Sequence, residues 1–180
     1  MMSIDKSLIV PIPWVAPAVV DFIRTTLAKI PHPNILEFGS GCSTAFFTQY
    51  QPAHLVSVEH GLPWYEFMQS YLNEHNLQVD LRLVPHNYYE ECHKFSRNYF
   101  DFIFIDGKFR MACLQAVRDC DILKSGGVVM LDDSDMTPKY KVADQIMQGW
   151  AKTEMRGPKG NPLNPDEAVV QATAAWWVKP

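Results

Sequence analysis

The stretch Asn34–Phe47, reading NILEFGSGCSTAFF, constrains the fold of this chain more than any other. Ile35-Leu36 is a short apolar run closed by the carboxylate of Glu37. Phe38-Gly39-Ser40-Gly41-Cys42 follows, and Ser43-Thr44 stands before a helix-like stretch. An apolar run that short, bounded by glycines and followed by helical spacing, reads as a buried parallel strand turning sharply into a helix. Glycine tolerates positive φ and lets a ligand lie against bare backbone. Ser43 or Thr44 can cap the helix that starts there. A strand, glycine turn and helix in this order form the nucleotide-binding corner of a doubly wound α/β sheet.

The kind of nucleotide follows from the flanking charge. A dinucleotide fingerprint is G-x-G-x-x-G, with the pyrophosphate on the helix N-terminus. Here the pattern is E-x-G-x-G-x-S, with no third glycine and a carboxylate just before the first. That carboxylate repels a pyrophosphate and favours an ammonium or sulfonium. The next apolar run, Leu55–Glu59, also ends in an acid. Glu59 falls about twenty residues beyond Gly39, where an acidic residue can accept both hydroxyls of a ribose.

The remaining pattern alternates helix and strand. Pro13–Pro17 leads into a helix over Ala18–Lys29, with Val19, Phe22, Ile23 and Leu27 on one face. A helix is expected from Thr44 to Tyr50 and another from Pro63 to Asn76. Val79–Val84 alternates as a strand does. His86–Asn98 is polar and aromatic and reads as a loop, with Asn87 or His86 placed to reach an adenine edge. Tyr99–Gly107 is apolar on both faces, as a central parallel strand is, and ends on Asp106-Gly107. A helix over Phe109–Leu123, a turn at Ser125-Gly126-Gly127 and a strand Val128–Leu131 follow, the strand ending in Asp132-Asp133. The pattern then predicts a helix over Lys139–Trp150, a turn-rich loop Gly157–Pro165 and a last strand Thr173–Val178.

Size and composition set the outer limits. A chain of 180 residues, 47% hydrophobic and 20% charged, has the make-up of one globular domain. Residues 1–180 are read as a single domain, with 1–30 as lead-in and first helix. The net charge of −4 and the lack of a dense Lys/Arg block argue against nucleic acid as partner. Four cysteines, Cys42, Cys92, Cys113 and Cys120, show neither metal-pair spacing nor a secreted framework, which fits a cytoplasmic protein. Leu8–Val20 is broken by prolines and too short for a membrane span.

Glu37, Gly39 and Gly41, then Glu59, Phe100–Asp106 and Leu123–Asp133, occur in the order and spacing of class I S-adenosylmethionine (SAM)-dependent methyltransferases, and the chain resembles that family over nearly all its length. The resemblance implies a Rossmann-like doubly wound seven-stranded sheet, order 3-2-1-4-5-7-6, with strand 7 antiparallel. It implies Gly39 and Gly41 under the methionine part of SAM, Glu37 near its ammonium, Glu59 on the ribose and Asp106 facing the methyl group. It also implies a small-molecule acceptor, methylated at oxygen, and a possible homodimer that would complete a pocket lacking a lid.

Asp106, Asp132 and Asp133 resemble the acidic set with which metal-dependent sugar and catechol O-methyltransferases hold Mg²⁺. Hard oxygen ligands suit that ion, which would bind acceptor oxygens and lower the pKa of the attacking hydroxyl. Where the catechol enzymes carry a Lys, Phe109 stands here, with Lys108 and Arg110 displaced beside it. Candidates for the base are Asp106, Asp132, His60 and Lys108. Arg110 reads as a partner for an acceptor's carboxylate or phosphate, or as a surface ion pair. Competing readings are N-methylation of a small amine or of RNA, and a SAM-binding protein without turnover. A nicotinamide dehydrogenase is disfavoured by the absent third glycine.

Overall fold

The structure is a computed structural model, and it describes residues 9–135, 142–160 and 170–180. Most of the expected lead-in, the start of the Lys139 helix and positions 161–165 lie outside those residues. Seven strands form one sheet: β1 Asn34–Phe38, β2 His54–Glu59, β3 Asp80–Leu83, β4 Phe100–Ile105, β5 Leu123–Leu131, β6 Ala151–Lys159 and β7 Val170–Val178. Their order is β3-β2-β1-β4-β5-β7-β6. The first five run parallel, and β7 is antiparallel to both β5 and β6. This is the strand order, with β7 antiparallel, that the resemblance implies.

Helices α1 Pro17–Leu27 and α2 Cys42–Phe47 cover one face, and α4 Arg110–Cys120 and the short α5 Ala143–Ile146 cover the other. α3 Leu62–Glu74 packs with Ala45 and Ile9 in a smaller cluster. The period-2 geometry of a strand explains how one apolar run serves both layers. In β4, Phe102 and Phe104 join the α1 side, while Ile103 and Ile105 join the α4 side. The adjacent Trp176 and Trp177 divide the same way. Phe22 of α1 stacks on Trp176 at a ring distance of 4.0 Å. A fully buried aromatic such as Phe102, Phe104 or Trp177 contributes roughly 2–3 kcal/mol of transfer free energy. Among the described residues, no helix is long and apolar enough to cross a membrane.

Several expectations change. The helix expected to run to Trp150 ends at Ile146, and the expected loop His86–Asn98 carries a tight helical stretch over Tyr88–Lys94. The Ser125–Gly127 turn is an excursion inside β5, which begins at Leu123 and pairs again at Val128 after a register shift. The helix over Phe109–Leu123 starts at Arg110 and stops at Cys120, bounded by left-handed Phe109 and Asp121. Gly157–Lys159, expected in a loop, form the end of β6. That strand reads AKTEMRGPK, is mostly exposed and carries no apolar face. It is an edge strand whose pattern comes from its hairpin partner β7, and its polarity and Pro158 suit an unprotected edge.

Candidate functional site

The parallel strands bring their C-terminal ends to one edge of the sheet. Backbone bonds align the residues that follow them: Gly39 N–H donates to the Val58 carbonyl at 2.9 Å, Asp106 N–H to Phe38 at 3.0 Å, and Asp132 N–H to Ile105 at 3.1 Å. Gly39 has φ +102°, and a Cβ on it would lie 2.7 Å from the Gly107 backbone. The turns after β1 and β4 therefore pack glycine on glycine, a distance no side chain permits.

A cavity of about 290 Å³ opens beside these turns, lined among others by Gly39, Ser40, Gly41, Glu59, Trp64 and Asp106. Glu59 is 3% exposed. Its Oε1 accepts the His60 and Gly61 N–H groups at 2.8 and 2.7 Å, and its Oε2 accepts the Ser40 hydroxyl at 3.2 Å. Trp64 is held by its indole N–H on the Ser40 carbonyl at 2.7 Å. A Cβ on Gly41 would meet only the edge of that ring, at 3.9 Å, so the glycine leaves cavity space open.

Glu37 lies beneath this cavity, fully buried and outside its lining. Ser57 donates to Glu37 Oε2 at 2.6 Å and Thr44 at 2.5 Å, and Ser43 donates to Oε1. The Thr44 hydroxyl also accepts the Gly41 N–H at 2.8 Å, so the carboxylate is tied to the glycine turn through one side chain. Burial pushes the Glu37 carboxyl up to about 7, against the lowering effect of the three hydroxyls. Asn87 stands exposed at the start of a tight helical turn, Tyr88–Lys94, and lines neither cavity described here. The fully buried Tyr88 anchors that turn by donating its hydroxyl to the Lys108 carbonyl.

A second cavity of about 560 Å³ adjoins the first, and Trp14 and Asp106 line both. Its wall also includes Arg110, Asp133, Asp135 and Lys159. Asp106, Asp132 and Asp133 converge as expected, each offering an oxygen within 4.8 Å of the others. Two cations stand among them. Lys159 Nζ lies 2.6 Å from Asp132 Oδ2 and 3.1 Å from Asp133 Oδ1. Arg110 reaches Asp106 Oδ1 at 3.1 Å and Asp133 Oδ2 at 3.4 Å, and it also bonds the Gly107 and Asp106 carbonyls. Arg110 is thus an internal brace, neither a surface ion pair nor free for an acceptor. Burial and the neighbouring Asp132 charge hold the Asp106 carboxyl well above the usual carboxylate range, with Arg110 and Lys159 opposing.

The donor set is right for a hard divalent ion, but its arrangement does not fit one. Such an ion needs carboxylate oxygens at about 2.0–2.6 Å, and the Lys159 ammonium already sits on Asp132 Oδ2 and Asp133 Oδ1, with Arg110 on Asp133 Oδ2. Asp132, 1% exposed, faces Lys159 and lines neither cavity. Sequence reasoning missed Lys159 because its neighbours, Gly157-Pro158 and Gly160, read as a turn. A basic residue ending a polar edge strand carries no local signal of burial.

No protein-family model and no curated protein sequence matches this chain. Solved structures do match its fold. An O-methyltransferase from Bacillus cereus in complex with SAH superposes with a TM-score of 0.68 at 17% identity, covering 99% of this chain and 93% of that one. A putative O-methyltransferase from Klebsiella pneumoniae gives 0.67 at 17% identity, covering 100% and 93%. A precorrin-6y C5,15-methyltransferase from Geobacter metallireducens GS-15 gives 0.66 at 15% identity, covering 93% and 91%. The chain therefore has the Rossmann-like methyltransferase fold along its described length.

Proposed function

We propose that this protein is a SAM-dependent methyltransferase acting on a small molecule at oxygen. The observation that carries the reading is the junction of two cavities at Asp106, one beside the glycine turn and Glu59, the other walled by charged groups. SAM in the first cavity supplies an activated methyl group. Glu59 accepts the ribose hydroxyls there, displacing Ser40 or sharing its oxygens with it. Gly39 and Gly41 present bare backbone to the methionine part. Glu37 sets the turn from below through Ser43, Thr44 and Ser57, and its ionised form favours the ligand's positive charges.

The chain's own work is alignment, exclusion of water and removal of one proton. Asp106 is the base of choice because it faces both cavities and its carboxyl is held above the usual range. It takes the acceptor's hydroxyl proton as the O–C bond forms and the S–C bond breaks. Trp14, on the wall of both cavities, closes the line of transfer from the side. Asp132 acts through Lys159 rather than on the acceptor. Isothermal titration with SAM is the first test, and no binding at high micromolar SAM overturns the reading. Transfer of a tritiated methyl from SAM into a metabolite extract is the second. SAM binding without transfer would assign a binding protein, and label on an amine or on RNA would move the acceptor atom.

A further inference from the structure

Lys159 is a buried cation on the wall of the acceptor cavity, and the proposed chemistry gives it no direct contact with the acceptor. It ends the edge strand β6 and enters the space between the ends of β4 and β5. Its ammonium bridges Asp132 and Asp133 at 2.6 and 3.1 Å, and Trp14 lies over it with the ring centroid 5.7 Å away. Arg110 completes a chain of alternating charge, running Asp132, Lys159, Asp133, Arg110, Asp106. Each of the three carboxylates therefore touches a cation that belongs to the fold, two cations serving three acids.

We propose that the Lys159 ammonium takes the place of a divalent ion at this acidic cluster and holds the acceptor's hydroxyl oxygen beside Asp106, so that transfer needs no metal. This rests on the methyltransferase reading for its acceptor half. An ammonium has three N–H donors, and Asp132 and Asp133 take two of them. The remaining donor meets an acceptor oxygen in the cavity that Lys159 lines. As Asp106 removes the hydroxyl proton, the oxygen gains negative charge one hydrogen bond from a fixed cation. A tethered charge in a partly desolvated site does this without reorganisation. It also excludes a metal: an ion on the same oxygens would sit within a few ångströms of the ammonium, where like charges repel strongly.

Mn²⁺ titration of the ligand-free protein, followed by electron paramagnetic resonance, tests the cation without relying on activity. The wild-type chain is expected to show no site tighter than about 1 mM, the weak end of carboxylate sites. Lys159→Met uncovers the cluster, and Mn²⁺ then binds about a hundredfold tighter. Adding Asp133→Asn to that variant removes the gain. A wild-type site in the low micromolar range, or equal Mn²⁺ affinity in wild type and Lys159→Met, overturns the proposal. The wild-type titration decides the matter even where the variant does not fold. In turnover, wild-type activity is expected to survive exhaustive chelation. Lys159→Met should keep SAM affinity and lose kcat, with Lys159→Arg recovering part of it. Loss of wild-type activity on chelation counts against the proposal. Failure of wild-type SAM binding would instead sink the methyltransferase reading and leave the Mn²⁺ result to judge the cation.

Discussion

The two halves of the site are held together by different physics. Around the glycine turn, each carboxylate is surrounded by hydroxyl and backbone N–H donors from its own neighbourhood, with the His60 imidazole also 2.9 Å from Glu59 Oε1. Glu37 receives three hydroxyls, and Glu59 receives backbone N–H groups and Ser40. These donors fall in two groups, Ser40–Thr44 and Ser57–Gly61, both inside one strand–turn–helix–strand unit spanning Leu36–Gly61. The acceptor half has few such donors. Its three carboxylates are matched by Arg110 and by Lys159, the latter 26 residues beyond Asp133. Neutral donors leave the buried Glu37 carboxyl free to take up a proton, and burial raises Asp106 as well even though cations oppose it. Both halves are therefore expected to respond to pH, and the acceptor half, built on ion pairs, also to the loss of a single charge.

The largest effect should come from breaking the acceptor half. Asp132→Ala leaves Lys159 buried with one carboxylate fewer and should cost about 3–5 kcal/mol, read by urea denaturation. A loss under about 1 kcal/mol would mean that the ion pairs hold no tighter than a surface bridge. Next comes the glycine turn. Gly39→Ala puts a side chain at φ +102° and against the Gly107 backbone, and about 3 kcal/mol of destabilisation is expected.

The pH response of the cofactor half is of similar or slightly smaller size. Between the ordinary carboxylate value and about 7, the folded chain binds more protons at Glu37 than the unfolded chain does. Its contribution to stability is therefore full below that window and falls as pH rises through it, by about 3 kcal/mol in total. Glu37→Gln cannot titrate, so the stability gap between wild type and variant should shift by that amount between acid and alkaline pH. A constant gap would show that Glu37 titrates alike in the folded and unfolded chain. The smallest effect concerns binding. Glu59→Gln keeps the shape but loses an acceptor for the ribose hydroxyls, and SAM affinity by calorimetry should fall about tenfold to a hundredfold. If Glu59→Gln bound SAM like wild type, the adenosyl ligand would have to lie elsewhere.

The same division separates what could be read along the chain from what could not. Ile35–Gly41, Leu55–Glu59 and Tyr99–Asp106 announce their strands because an apolar run ending in an acid or glycine has few other uses. Their end residues meet because parallel strands of one sheet share an edge, which sequence order alone implies. β6 was hidden for the opposite reason: nothing apolar marks an exposed edge strand, and its register comes from β7. Arg110 could be placed beside Asp106 from spacing, but not its five-way brace across Asp106, Gly107, Asp132 and Asp133.

By itself, the amino-acid order marked six of the seven strands and the glycine corner with its acids Glu37 and Glu59. Local periodicity places those elements, and the resemblance they carry implied the strand order and the convergence of Asp106, Asp132 and Asp133. Only the tertiary structure decided what those acids face. Lys159 reaches them through a hairpin whose register depends on backbone pairing, and backbone pairing leaves no mark in the identity of a single lysine. Where hydrophobic pattern places a residue, the chain can be read forward. Where a long-range ion pair places it, the partner is known only once the strands are in position.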